Sequence, residues 1–248
     1  MIDLHCHIIP YIDDGAKNIE IAYAMARYAY KSGVDTIVAT PHCNLRDARK
    51  NYLDRDFVQL LATFRAYLKQ RGLPIKILQG AEVFAHSDNI RALIEHGKLA
   101  TINHSRYLLV EFQFHQDAFT MTQTLNAIAR RGLIPIVAHP ERYDAVQQNP
   151  MIVANWFERG YIIQINKGSL LGRLGRNAHE CATKIISDGF AHVIASDAHD
   201  MKYRPPGFYR LILSRQINPH YLKLLLAENP ERIISDEPIL DPRKVHFD

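Results

Sequence analysis

The sequence predicts an α/β fold of parallel strands, and three observations lead there. Short runs rich in Val, Ile and Leu on both faces alternate with amphipathic helical segments. Helical segments stop at Gly33, Gly72, Gly97, Gly132, Gly160 and Gly189, where a left-handed C-cap is easiest for glycine. Imidazoles and carboxylates collect at one end of the runs. Because βαβ crossovers keep one hand, seven β/α units can close into a barrel. A doubly wound open sheet is the competing architecture. Polar residues gathered at the C-terminal end of nearly every run favour the barrel.

In chain order, the first run, Met1–Leu4, leads into His5-Cys6-His7. Side chains alternate along a strand, so His5 and His7 point one way and Cys6 the other. A pair of acids, Asp13 and Asp14, follows. The second run, Thr36–Ala39, ends in Thr40-Pro41-His42. In Arg55–Arg71, Phe57, Leu60, Leu61, Phe64 and Leu68 recur at helical spacing and predict one buried face. The third run, Ile75–Leu78, ends in Gln79-Gly80-Ala81-Glu82, and the fourth, Tyr107–Phe112, encloses Glu111 among apolar neighbours. Ile134–Ala138 ends in His139-Pro140-Glu141-Arg142, Tyr161–Ile165 in Asn166-Lys167, and His192–Ala195 in Ser196-Asp197-Ala198-His199. Asn149-Pro150 and Asn218-Pro219 read as helix openings, a cap residue before a first-turn proline. With no Pro-rich linker, charge run or repeat, residues 1–248 read as one domain, of which 235–248, with Pro238 and Pro242, is an exposed tail.

Composition narrows the function classes. At 47% hydrophobic and 23% charged residues the chain is globular. No stretch approaches the roughly 18 apolar residues of a membrane span, and the N-terminus shows no secretion signal. Three cysteines, Cys6, Cys43 and Cys181, without Cys-x-x-Cys spacing, fit a reducing, cytoplasmic setting. The net charge of +4 is scattered, without the basic stripe expected of a nucleic-acid binder.

A lone histidine beside apolar residues is ordinarily structural. Five at strand ends, with at least four carboxylates, require another account, since buried charges cost several kcal/mol each unless compensated. The set exceeds what one ion uses, so two or three cations are expected. No Cys-rich set points to structural zinc. Mixed imidazole and carboxylate ligands suit Mn, Fe, Co or Zn, with Mg also open and Mn favoured where carboxylates dominate. Such clusters activate water and clamp both oxygens of an in-line displacement, which is hydrolytic chemistry. Arg142 and Arg204 beside the rim are of the type that binds phosphate oxygens bidentately. Lys167 reads either as a phosphate contact or as a rim cation. His86, His96, His104, His115, His179, His192, His220 and His246 read as ordinary polar residues, and the 12 tyrosines as packing and surface residues.

The motifs HCH at 5–7, DDG at 13–15, TPH at 40–42, GAE at 80–82, AHPER at 138–142 and SDAH at 196–199 resemble those of the PHP (polymerase and histidinol phosphatase) superfamily. The spellings MIDLHCHIIPYIDDG, AHPERY and SDAHDMKYRPP are similar to the bacterial metal-dependent protein-tyrosine phosphatases of capsule and exopolysaccharide loci, the CpsB/YwqE type, over essentially the whole chain. The resemblance implies a distorted seven-stranded β/α barrel with a trinuclear metal site at its C-terminal rim. It implies hydrolysis of phosphotyrosine, chiefly on the Tyr-rich tail of a bacterial tyrosine kinase that regulates polysaccharide export. By motif, His5, His7, Glu82 and Asp197 would hold one metal. Glu82 would bridge to a second, shared with Glu111 and His139, and Asp14, His42 and His199 would complete a third. Asp14 is preferred to Asp13 because the superfamily's ligand immediately precedes the glycine, and a contribution from Asp13 stays open. Arg142 and Arg204 would hold the phosphate. Cys6 departs from the pattern, standing where a small polar residue is more usual.

Three rivals remain. His42-Cys43 with Arg49 matches the His-Cys-x5-Arg signature of cysteine-dependent tyrosine phosphatases. A phosphate-wrapping loop needs small residues, however, and this one carries Leu, Arg and Asp and no Gly. A small-molecule phosphatase of the histidinol-phosphatase kind, or a metal-dependent nuclease, could use the same barrel. A non-enzymatic scaffold would leave the two rim arginines without a purpose.

Overall fold

The seven apolar runs become nine parallel strands in the computed structural model, which describes residues 1–45, 50–86 and 89–245. These are β1 (Ile2–Cys6), β2 (Thr36–Ala39), β3 (His42–Cys43), β4 (Lys76–Gln79), β5 (Glu82–Phe84), β6 (Tyr107–Glu111), β7 (Ile134–Ala138), β8 (Ile162–Asn166) and β9 (Val193–Ala195). They form two sheets, ordered β1-β2-β4 and β3-β5-β6-β7-β8-β9. The expectation of seven strands is corrected at the second and third units, each split in two. Pro41 has no N–H to give a ladder, and Gly80 lies so close to its neighbour that a Cβ there would stand 2.7 Å from Val38 Cγ1. The sheets meet where Cys6 bridges Ala198 in parallel, with His7 N donating to Ala198 O at 2.9 Å and Asp197 N to His5 O at 2.8 Å.

Strands β1, β2, β6, β8 and β9 are buried on both faces, as parallel strands under helices are, while β4 leaves Lys76 exposed at its start. Along β6, Tyr107 and Leu109 enter one apolar cluster with Leu4, Ile136 and Val193. Leu108 and Val110 enter another, shared with the helices. Helix Arg55–Gln70 buries Phe57, Leu61, Phe64 and Leu68. It opens on Asp54, whose Oδ1 accepts from Phe57 N at 3.0 Å, a cap worth about 1 kcal/mol. Asn18 and Asp117 cap helices Ile19–Lys31 and Ala118–Ala129 in the same way. All six glycines read as helix stops have positive φ, from +61° at Gly97 to +87° at Gly33. Asn218 caps the short helix Pro219–Lys223.

Ser235–Pro238 is exposed, yet Glu237 O accepts from Tyr107 Oη at 2.7 Å. Pro242 is buried, and Arg243 pairs with Glu158 at 2.5 Å. His246 lies outside the described residues.

His192, read from the sequence as an ordinary polar residue, is buried at the start of β9. Its Nδ1 accepts from Ile163 N at 3.0 Å, and its ring stacks on Phe157 with centroids 4.4 Å apart. Burial pushes its pKa down to about 3, which Asp241 and Arg243 only adjust. The folded state therefore refuses a proton that the unfolded chain takes up. The resulting stability is complete above about pH 6.5 and is lost as pH falls toward the folded value, at about 1.4 kcal/mol per pH unit. Urea unfolding of the wild type between about pH 6 and 4 should fall more steeply than that of His192→Phe by one proton's slope. Parallel slopes would remove His192 from the acid response.

Candidate metal centre

The strands and the loops after them bring the predicted side chains to one place. His5 comes from β1 and His7 from just beyond it; His42 opens β3, Glu82 opens β5 and Glu111 ends β6. His139, Asp197 and His199 follow β7 and β9, and Asp14 comes from the loop after β1. His139 and Asp197 adopt left-handed backbone, with φ of +34° and +49°. Non-glycine residues held there are strained, and such strain gathers at functional sites. Gly15 lets the Asp13–Asp14 loop fold back against His7, since a Cβ on it would stand 2.1 Å from His7 O.

Glu82 is the hub. Its Oε1 lies 2.9 Å from His139 Nε2 and 3.3 Å from His5 Nε2. Its Oε2 lies 3.0 Å from His42 Nδ1 and 3.2 Å from His7 Nε2. Glu111 approaches His42 Nδ1 at 3.4 Å and His139 Nε2 at 3.8 Å. Asp14 Oδ1 stands 3.6 Å from His42 Nε2 and 3.7 Å from His199 Nε2. Asp197 Oδ1 faces His5 and His199, each at 3.5 Å, and His7 at 3.6 Å. Three ligand groups result, each with donor atoms within 4.8 Å of one another: His7, Asp14, His42 and His199; His5, His7 and Glu82; and His42, Glu82 and Glu111.

The tautomers state what this arrangement requires. His7 Nδ1 is 2.7 Å from Asp13 Oδ2, and His5 Nδ1 is 2.9 Å from Gln164 Oε1. His199 Nδ1 is 3.1 Å from the carbonyl oxygen of Asp197. Each of these partners accepts, so each Nδ1 carries the hydrogen and each Nε2 turns a lone pair inward. There the lone pairs meet carboxylates, and the Nε2 atoms of His5 and His7 meet each other at 3.2 Å. Lone pairs facing anions in a buried site fit cations between them. The buried His199 Nε2 and His42 Nδ1 make no hydrogen bond, which fits the same requirement.

The charges agree. Burial opposes protonation of His7 and His42, but Asp13 outweighs it for His7, and Glu82 with Glu111 for His42, pushing them up to about 9 and about 11. Burial would also push Glu82 and Asp197 up. His5 and His42 hold Glu82 well below the carboxylate range, and His5 and Arg204 do the same for Asp197. Burial and the repulsion of His7 drive His199 down to about 2. The inward lone pairs are those of the neutral imidazoles; protonated, His7 and His42 balance the carboxylates instead, and metal binding displaces such protons.

Asp197 divides its oxygens. While Oδ1 faces imidazoles, Oδ2 accepts from Asn166 Nδ2 at 2.6 Å and Arg142 Nη1 at 3.4 Å, and pairs with Arg204. Both arginines thus stand at the rim of the cluster. Lys167 does not join them: it is buried, and its ammonium donates to Pro205 O and to Gly207 O at 2.5 and 2.7 Å. It ties down the segment that follows Arg204, and burial pushes its pKa down to about 8.

Sequence reasoning passed over the residues that orient the site. Gln164 and Asn166 were signalled by polar residues two apart in a buried strand, which places them on one face. Asp13 was left open; its Oδ2 accepts from His42 N at 3.0 Å besides meeting His7. Glu141 is buried, and its Oε1 accepts from Asn166 N at 3.0 Å and Ser169 Oγ at 2.7 Å. Cys6 is buried with its sulfur 3.9 Å from Ala198 O, turned from the imidazoles as alternation requires. Cys43 is also buried, and burial together with Asp54 pushes its thiol up to about 12, so no thiolate is available at neutral pH. Arg46 to Arg49 of the rival signature lie outside the described residues.

A family model described as capsular polysaccharide synthesis, CpsB/CapC, matches residues 1–235. The tyrosine-protein phosphatase YwqE of Bacillus subtilis is 32% identical over 244 residues, covering 96% of this chain and 93% of that protein. The tyrosine-protein phosphatase CpsB of Streptococcus pneumoniae is 32% identical over 248 residues, covering 96% of this chain and 100% of that one. A solved structure from the pair YwqE and CpsB, described as unique metal-dependent tyrosine phosphatases, superposes with a TM-score of 0.86 at 30% identity, covering 99% of this chain and 100% of the other.

Because Asp13 fixes the tautomer of His7, Asp13→Ala should weaken metal binding by about 10- to 100-fold, as loss of such an orienting partner does. Competition with a chromophoric chelator measures it. An unchanged affinity would show that Asp13 does not orient the ligand.

Proposed function

The chain belongs to the CpsB/CapC family of capsular polysaccharide synthesis, and on that premise we propose that it is a metal-dependent phosphatase hydrolysing phosphotyrosine in proteins. One observation carries the reading: His5 and His7, each locked by an Nδ1 acceptor, turn their Nε2 atoms onto the buried Glu82 and Asp197 beside two arginines.

His5, His7, Glu82 and Asp197 would hold one cation, and Glu82, Glu111 and His139 a second. Asp14, His42 and His199 would hold a third. Mn is favoured for this mixture, with Fe, Co, Zn or Mg as alternatives. When bound, the cations supply an activated water and withdraw charge from the phosphoryl oxygens. Arg142 and Arg204 bind the remaining oxygens and are oriented before substrate arrives, because Asp197 Oδ2 holds both. Prearranged donors of this kind cost no reorganisation as charge develops. The substrate is a phosphotyrosine protein, in the family context the Tyr-rich tail of a bacterial tyrosine kinase. The same reading takes residues 1–248 as a single domain whose two sheets form one distorted ring of seven β/α units, supported by the Cys6–Ala198 bridge. A cytoplasmic location is supported by three buried, unpaired cysteines. No helix among the described residues is long and apolar enough to cross a membrane.

Chelation should abolish hydrolysis of a phosphotyrosine peptide and Mn should restore it. Cys43→Ser should keep most of the activity, while Asp197→Ala should lose nearly all of it. Full activity in excess chelator, or a dead Cys43→Ser enzyme with a trapped phosphocysteine, would overturn the metal route. Turnover of histidinol phosphate or of a nucleic acid in place of the peptide would transfer the reading to another phosphate ester.

The leaving group sets a further expectation. Tyrosinate, with a conjugate-acid pKa of about 10, leaves far more readily than an aliphatic alkoxide, and among the described residues the rim offers no obvious dedicated acid outside the ligand set. Phosphotyrosine peptides should therefore turn over much faster than phosphoserine peptides. Arg142→Ala should cost about 10²–10³ in kcat, as loss of an oriented transition-state donor does. Equal kcat/KM on the two peptides, or an Arg142→Ala enzyme within a few-fold of wild type, would contradict these assignments.

A further inference from the structure

Phe114 is a large apolar side chain left 38% exposed at the rim. The Arg142 guanidinium carbon lies 4.5 Å from its ring centroid. The ring stands 6.3 Å from that of the ligand His139 and 6.3 Å from that of the buried Tyr143. Its backbone is fixed, since Phe114 O accepts from Asp144 N at 2.9 Å. An exposed phenylalanine held against a phosphate-binding guanidinium leaves apolar area in water that a flat substrate group could cover. Aromatic pairs prefer centroid separations of about 4.5–7 Å, and Phe114 stands beside one of the two arginines that would hold the phosphate, 4.5 Å from the Arg142 guanidinium carbon.

We infer that Phe114 is the platform on which the phenyl ring of the substrate rests while Arg142 holds its phosphate. The inference rests on the phosphatase reading and adds to it the residue that selects an aromatic ester by contact. This selection differs from that exerted by the leaving group. A good leaving group without a ring would gain nothing from Phe114, whereas an aryl phosphate would gain both. The competing account is that Phe114 only props Arg142 through the cation–π contact, and it predicts equal losses on every phosphate substrate, ester or anhydride.

The two are separated by comparing a phosphotyrosine peptide and p-nitrophenyl phosphate with acetyl phosphate, whose leaving group is good and not aromatic. Phe114→Ala should lower kcat/KM for the two aryl esters by about tenfold, mostly through KM. It should leave acetyl phosphate within about twofold of wild type. Phe114→Trp should restore the preference for aryl esters. Equal losses on all three substrates, or no loss on the aryl esters, would overturn the inference. A metal-loaded wild type inert toward all three would overturn the phosphatase reading, and this inference with it.

Discussion

The structure depends on keeping two buried carboxylates, Glu82 and Asp197, charged at the mouth of the strands. Each is about 1% exposed, and each stands within hydrogen-bonding or ion-pairing reach of several imidazoles. Uncompensated, such charges would cost several kcal/mol apiece. Two kinds of compensation are built in. On the outer side of Asp197, Arg142, Arg204 and Asn166 supply fixed donors. On the inner side the imidazoles act as bases, free to hand over to metal ions the place that protons take in their absence. The same atoms therefore serve folding and chemistry, since ions bound only by the assembled site stabilise that assembly.

Much of the fold is written in local signals. Apolar runs bounded by helix-stopping glycines locate the strands, because a run buried on both faces has no polar phase to blur it. The nine side chains singled out come together, most of them because parallel strands deliver their C-terminal ends to one rim. What stays hidden is of another kind. Pro41 and Gly80 split two strands because a missing donor and a close approach to Val38 act only once neighbours are in place. Without those breaks, His42 and Glu82 would not stand in register at the start of the second segments. Residue type alone does not separate Asp13 from Asp14; only the resemblance of the DDG motif does. Only the close packing of Gly15 against His7 sends Asp13 behind the imidazole and Asp14 toward His42 and His199. Lys167 has the position of a phosphate contact, yet two carbonyls across the fold claim it.

Tyr143 shows how these scales join. The β6–β7 ladder pairs residues as far as Val110 and Val137, after which the two strands must part to deliver Glu111 and His139. At the parting point the Tyr143 hydroxyl donates to Ala138 O at 2.8 Å and accepts from Phe112 N at 3.2 Å. It thus replaces a ladder hydrogen bond by a bridge one atom longer. Burial pushes its pKa well up, so the hydroxyl keeps its proton and remains a donor at neutral pH. With both backbone groups satisfied, the chain is free to turn at His139 into left-handed conformation, and the next turn places Arg142 N on His139 O at 2.9 Å. The Tyr143 ring lies 5.9 Å from that of His139 and 6.3 Å from that of Phe114. His139, proposed as a metal ligand, and the exposed Phe114 are therefore packed around one buried side chain, with Arg142, proposed to bind phosphate, on the turn between. That chain links the rim to the sheet more tightly than sequence distance suggests, and it is why a short turn can hold three groups of different chemistry in fixed relation.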